Sequence, residues 1–137
     1  MKIIKREIVI DAPIAKVWQH ITDPHKIAGW LMPNDFEAAV GKQFILDCQQ
    51  QGKVSCVVKE IITNQKLVYS FQSKVTKVET LVSITLKKEG QGTRLTLIHS
   101  GWDALPPGEQ DVADNYGGGW GAGLEKLREQ IETSTAH

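Results

Sequence analysis

The stretch from Phe36 to Ser100 constrains the fold more than any other part of the chain. It reads FEAA, KQFILDC, KVSCVVKEII, KLVYSFQS, VETLVSITLKK and TRLTLIHS, six segments in which apolar and polar residues alternate. Turn-forming residues divide them at Val40-Gly41, Gln51-Gly52, Asn64-Gln65, the region of Lys74 and Gly90-Gln91-Gly92. A parallel pair of strands needs a crossover of about a dozen or more residues. These connections are much shorter, so the segments are expected to pair as an antiparallel meander. Residues two apart share a face of a strand. That rule aligns Phe44, Leu46 and Cys48, then Leu67, Tyr69 and Phe71, then Val82, Ile84 and Leu86, then Leu95, Leu97 and His99. Each strand offers one apolar face to a core.

The flanking sequence supplies one more strand and the helices. Residues 3–10, IIKREIVI, alternate as a strand and stop at DAP. Pro13 suits a first helical position, and Ile14, Val17, Trp18 and Ile21 then form one apolar stripe. Asp23-Pro24 repeats the start signal, a carboxylate able to cap free N–H groups followed by a proline that fixes the first turn. A second short helix is expected from there towards Gly29 and Trp30. After Gly101-Trp102 and the loop DALPPG, the residues Val112, Tyr116, Trp120, Leu124, Leu127 and Ile131 descend at helical spacing, which predicts one long helix crossing the sheet. No repeat or long linker interrupts the chain. Its 137 residues suit a single domain spanning 1–137 that buries most of its apolar surface.

That last helix carries five glycines in NYGGGWGAGLEKLREQ, residues 115–130. Gly117, Gly119 and Ala122 satisfy the GxGxxG/A spacing, but a dinucleotide fingerprint works only where a strand leads into a helix, and QDVADNY precedes this one. No Gly-Lys-Ser or Gly-Lys-Thr of a phosphate loop occurs. Each glycine inside a helix is destabilising by about 0.8–1.0 kcal/mol relative to alanine, so several together need a compensating reason. Gly119 and Gly123 flank Trp120 and Leu124 on the face turned towards the sheet. Their missing side chains either let helix and sheet pack closely or leave a space between them, and on physical grounds alone close packing is the simpler reading.

Charge and reactive groups narrow the function. Lysine plus arginine and aspartate plus glutamate each number 16, so no net field selects nucleic acid or an anionic membrane. No apolar run approaches a membrane span, and neither nucleic-acid binding nor membrane insertion is expected. The amino end, MKIIKREIVIDAP, lacks the apolar core and cleavage site of a signal peptide, so a cytoplasmic location is the expectation. Cys48 and Cys56 lie in separate strands without a CxxC, and reduced core thiols are favoured over a disulfide. The four histidines form no HExxH or other metal constellation, so no metal and no cofactor are expected. His20 and His25 read as solvated. His99 points inward, and satisfaction by the backbone is the simpler reading for it over a ligand contact or acid–base work. No GxSxG elbow exists, and neither cysteine has a recognisable activating histidine, which leaves no catalytic set.

The order of these motifs carries a resemblance. A strand ending before DAP, the helix IAKVWQHITDP, then GW, the run of strands, TRLTLIHSGW and a final helix with GGGWGAGLEKL together resemble the SRPBCC, or START-like, superfamily. More narrowly the chain is similar to the branch that includes the carboxyl-terminal domain of the activator of heat shock protein 90 ATPase. The resemblance implies an α+β helix-grip fold, a curved antiparallel sheet wrapped around a long carboxyl-terminal helix with two short helices closing one end. It also implies a cavity between helix and sheet, with Trp30 and Trp102 at the closing end. A small, mostly apolar ligand, lipid-, polyketide- or flavonoid-like, is then expected. Phe44, Tyr69, Phe71, Trp102, Tyr116 and Trp120 would supply wall area, with Trp30, His99 and Leu124 beside them, and Gly119 and Gly123 would leave volume. Two alternatives stay open: a chaperone-ATPase-modulating interaction module with a role in stress response, and a cofactor-free cyclase or hydrolase of polyketide-like molecules.

Overall fold

The computed structural model describes residues 3–31, 34–47, 53–72, 79–101 and 111–135, with the side chains of the last helix described over 120–133. Strand β1 (Ile4–Ile10) leads into helices α1 (Ile14–Thr22) and α2 (Pro24–Trp30). Strands β2 (Gln43–Asp47), β3 (Lys53–Ile62), β4 (Lys66–Phe71), β5 (Thr80–Glu89) and β6 (Gly92–Ser100) follow, and helix α3 (Asp111–Thr135) ends the chain. The strands form one six-stranded antiparallel sheet in the order β1-β6-β5-β4-β3-β2. This is the helix-grip α+β arrangement. Strand β1 closes onto the last strand of the meander, so the two sheet edges, β1 and β2, are joined in sequence by the α1–α2 pair.

Turn chemistry sets the register. Glu89 pairs with Gly92 across a two-residue turn in which Gly90 takes φ +60°, a conformation open to glycine without steric strain. Strand β3 shifts register against β4 between Val58 and Glu60, an irregularity of the kind that bends a strand and helps a sheet curve. Alternation then delivers Phe44, Leu46, Leu67, Tyr69, Phe71, Val82, Ile84, Leu86, Leu95 and Leu97 to the core, as their sequence parity predicts.

Three expectations change. FEAA is not a strand. Phe36 N–H donates to the Asn34 side chain, Ala39 N–H to the Glu37 carbonyl and Lys42 N–H to the Ala39 carbonyl, so local turns consume the donors that a ladder would need. Asn34 alone bridges to β2, at Leu46. Pro13 sits just before α1 as its cap residue instead of inside it. His20 is buried, not solvated: α2 folds back over that face of α1, and the Trp30 indole N–H donates to the His20 carbonyl at 2.9 Å. The Asp23 cap is as read, its carboxylate accepting from His25 N–H at 2.9 Å.

Helix α3 includes the glycine-rich segment within its bounds. Its buried residues Trp120, Leu124, Leu127 and Ile131 hold the expected spacing, while the side chains of Val112 and Tyr116 lie outside the described set. The helix packs chiefly on β1 and α2. Near its carboxyl end the Glu132 carboxylate accepts from Asp11 N–H at 2.9 Å, tying it to the exit of β1. With Gly117, Gly119, Gly121 and Gly123 lowering intrinsic helicity, this packing must hold the helix. Leu127 is fully buried. Leu127→Ala is therefore expected to destabilise the fold by about 2–5 kcal/mol in urea unfolding, against no more than about 0.5 kcal/mol for Lys126→Ala on the exposed face.

Candidate functional site

Two aromatic clusters occupy the concave face of the sheet. In the first, Phe36 meets Phe44 edge-on with centroids 4.9 Å apart, and Phe44 meets Tyr69 in the same way at 5.3 Å. Ile27 and Trp30 from α2, Leu31 just past its end, Ile21 from α1, and Leu46, Leu67 and Ile84 from the sheet complete a lining around a void of about 10 Å³. That volume is at the threshold for one water molecule. The lining is apolar apart from the Trp30 indole N–H and the Tyr69 hydroxyl. Burial, with a smaller contribution from the facing Cys56 thiol, pushes the Tyr69 phenol well above its usual range, so it remains protonated. Cys56 itself is fully buried, and Cys48 lies outside the described residues.

The second cluster is a chain of hydrogen bonds. The Trp120 indole N–H lies 3.0 Å from His99 Nδ1, His99 Nε2 lies 2.7 Å from Thr80 Oγ1, and Thr80 Oγ1 donates to the Phe71 carbonyl at 2.7 Å. An indole N–H can only donate, so Nδ1 must carry a lone pair. The imidazole is therefore the neutral Nε2–H tautomer, and every proton in the chain is assigned. A second proton on Nδ1 would face the indole N–H. Phe71 packs edge-on against the imidazole at 4.9 Å. Burial lowers the His99 pKa from its ordinary 6.5 to about 3. His99 is thus buried as expected, but side chains from α3 and β5 satisfy it where the sequence reading assigned that task to the backbone. His20 is also shifted down, mainly by burial, and partly held up by its Nδ1–H bond to the Lys16 carbonyl at 2.9 Å.

Of the residues selected from sequence, Trp30, Phe44 and Tyr69 line the void, while Phe71, His99 and Trp120 form the hydrogen-bonded cluster. Leu124 is buried on α3. A Cβ added to Gly123 would stand 3.4 Å from the Trp30 carbonyl oxygen and 3.7 Å from its ring, so this glycine marks where α2 and α3 meet. Trp102 lies outside the described residues. Tyr116 and Gly119 fall in α3, with surroundings outside them. Sequence reasoning did not select Ile21, Ile27, Leu31, Phe36, Leu46, Leu67 and Ile84 of the lining, nor Thr80. The parity of β5 carried a signal for Thr80, since it shares the inward face with Val82 and Ile84. An open groove of about 430 Å³ lies outside the core between α2 and residues 34–37. Among the described residues no cluster of three or more His, Cys, Asp or Glu has metal-binding geometry, and no helix is long and apolar enough to cross a membrane.

Residues 11–132 match the family model described as Activator of Hsp90 ATPase homolog 1-like protein. Protein MLL2253 from Mesorhizobium loti superimposes with a TM-score of 0.87 at 31% identity, over 98% of both chains. DynU16, described as a putative protein in the dynemicin biosynthetic locus, gives 0.85 at 21% identity, with 98% of this chain matching 48% of that one. The Aha1 dimer from Colwellia psychrerythraea gives 0.79 at 19% identity over 96% of this chain and 97% of that one. The last two establish likeness of fold alone. Comparison with curated proteins gives no match.

The neutral His99 has a pH consequence. Its folded pKa lies below its unfolded one, so the stability it contributes is complete above about pH 6.5 and is lost as pH falls towards 3. The slope contributed is at most about 1.4 kcal/mol per pH unit. His99→Gln, which retains a donor and an acceptor but does not titrate, is expected to be less stable than the parent at pH 7 and to show a shallower loss of stability on acidification between those limits. Urea unfolding of both proteins as a function of pH measures this, and parallel profiles would contradict it.

Proposed function

This chain belongs to the Activator of Hsp90 ATPase homolog 1-like family, and from that premise we propose that it binds, in the cytoplasm, a small and mostly apolar molecule of lipid-, polyketide- or flavonoid-like character. The site is the interior between α3 and the concave face of the sheet. The observation that carries this reading is the void beneath Trp30 and Phe36, with its continuous apolar wall from β2, β4 and β5. Helix α3 packs chiefly on β1 and α2, and among the described residues Phe36, Phe44 and Tyr69 pack edge-on against one another over β2 and β4. Side chains change rotamer at far lower free-energy cost than a packed helix moves, and a lid built of them can admit a ligand larger than the resting void. DynU16, from a locus of natural-product biosynthesis by its description, is consistent with small-molecule use of this fold.

Binding without conversion is the preferred form of this proposal. His99 is the buried histidine on the inward face of the sheet, yet both of its ring nitrogens are engaged and its pKa is far below neutrality. It holds structure and is poorly matched to acid–base work near pH 7. Screening a panel of apolar aromatic compounds by amide chemical-shift perturbation tests the site. The reading predicts shifts concentrated in β2, β4 and α2, around Phe44, Tyr69 and Trp30, with the compound recovered unchanged by mass spectrometry. Shifts confined to the convex face, or protein-dependent product, would contradict it.

A further inference from the structure

The lining of the void contains two side-chain polar groups, and only one of them is occupied. The Trp30 indole N–H is committed to the His20 carbonyl at 2.9 Å. Tyr69, 4% exposed and part of the same wall, makes no hydrogen bond through its hydroxyl among the described residues. Among the described residues the fully buried side-chain polar atom without a partner is Gln130 Oε1, so the Tyr69 hydroxyl is not sealed away and stays within reach of a hydrogen-bonding group. The remainder of the wall, including Ile27, Leu46, Leu67 and Ile84, offers neither charge nor hydrogen bond. A carboxylate or phosphate entering here would lose its hydration with no lysine or arginine in the lining to replace it.

Resting on the binding reading above, we propose that the ligand is neutral, an apolar body bearing a hydrogen-bond acceptor such as a ketone or ester oxygen, and that the Tyr69 hydroxyl donates to that oxygen. Tyr69 is then the residue that sets polar specificity, while Phe36, Phe44 and Trp30 supply contact area. The position is well suited to the task. Strand β4 is hydrogen-bonded to strands on both sides, and the Tyr69 ring is held by Phe44, so the hydroxyl is fixed before the ligand arrives.

Three probes of similar size separate the possibilities: 2-acetylnaphthalene with a carbonyl, 2-isopropylnaphthalene without one, and 2-naphthoate with a negative charge. Each is titrated into the parent protein and Tyr69→Phe by amide chemical shift. The parent is expected to bind the ketone about 3- to 10-fold tighter than the hydrocarbon, with naphthoate weakest. Tyr69→Phe should erase the ketone preference, so that the ketone and the hydrocarbon bind with similar affinity, and should melt no lower than the parent. A ketone preference that survives in the variant, a parent that does not prefer the ketone, or tightest binding of naphthoate would overturn the proposal and leave the apolar site standing. Failure of all three probes to bind the parent would overturn the site itself and the proposal with it.

Discussion

The Trp120–His99 hydrogen bond is the contact on which the arrangement of helix and sheet depends. Because the indole can only donate, it dictates the charge and tautomer of a fully buried histidine. The histidine in turn must donate to Thr80, which passes its own proton to the Phe71 carbonyl. Four residues on one helix and three strands are thereby placed in a single proton arrangement. A buried polar group left unpaired is destabilising by about 1–3 kcal/mol, so displacing α3 would break the chain at a substantial free-energy cost. This matters because α3 is a poor helix by composition. Its glycines weaken local propensity, and tertiary contacts must compensate.

Those contacts are unevenly distributed, and the candidate site is a result. Helix α3 rests on β1 and α2, with Glu132 tied to Asp11 and Gly123 lying against Trp30. Among the described residues, the void on the β2 and β4 side is lined by Trp30 of α2 and by Phe36 just beyond it. Phe36 lies there without belonging to any strand, held by local hydrogen bonds around Asn34. A helix anchored at one side and side chains closing the other give the interior a rigid wall and an adaptable one. That combination is what a binding site for an apolar molecule requires.

Much of this was legible in the sequence. Alternation with short connections determined an antiparallel sheet, and the inward parity of Leu67, Tyr69, Phe71 and His99 survived intact because a one-residue slip would turn every core residue to solvent. The Asp23-Pro24 start of α2 was equally readable, being a local signal. FEAA misled because four residues alternate by chance as easily as by design, and the side chain of Asn34 redirected the backbone. His20 misled for another reason: it lies off the apolar stripe of α1, and only the return of α2 buries it. The division of inward residues between packed core and void lining cannot be read from periodicity, since both are equally apolar. Nor can the partners of His99, which come from residues 19 positions before it and 21 after it.

Long-range proton–nitrogen correlation spectroscopy of the histidine rings addresses the central contact directly. At neutral pH the His99 ring is predicted to show a protonated Nε2 and an unprotonated Nδ1, and to keep that signature well below pH 6. An Nδ1–H tautomer, or a His99 imidazolium near neutrality, would mean that Trp120 does not donate to this ring and that helix α3 is held to the sheet in some other way.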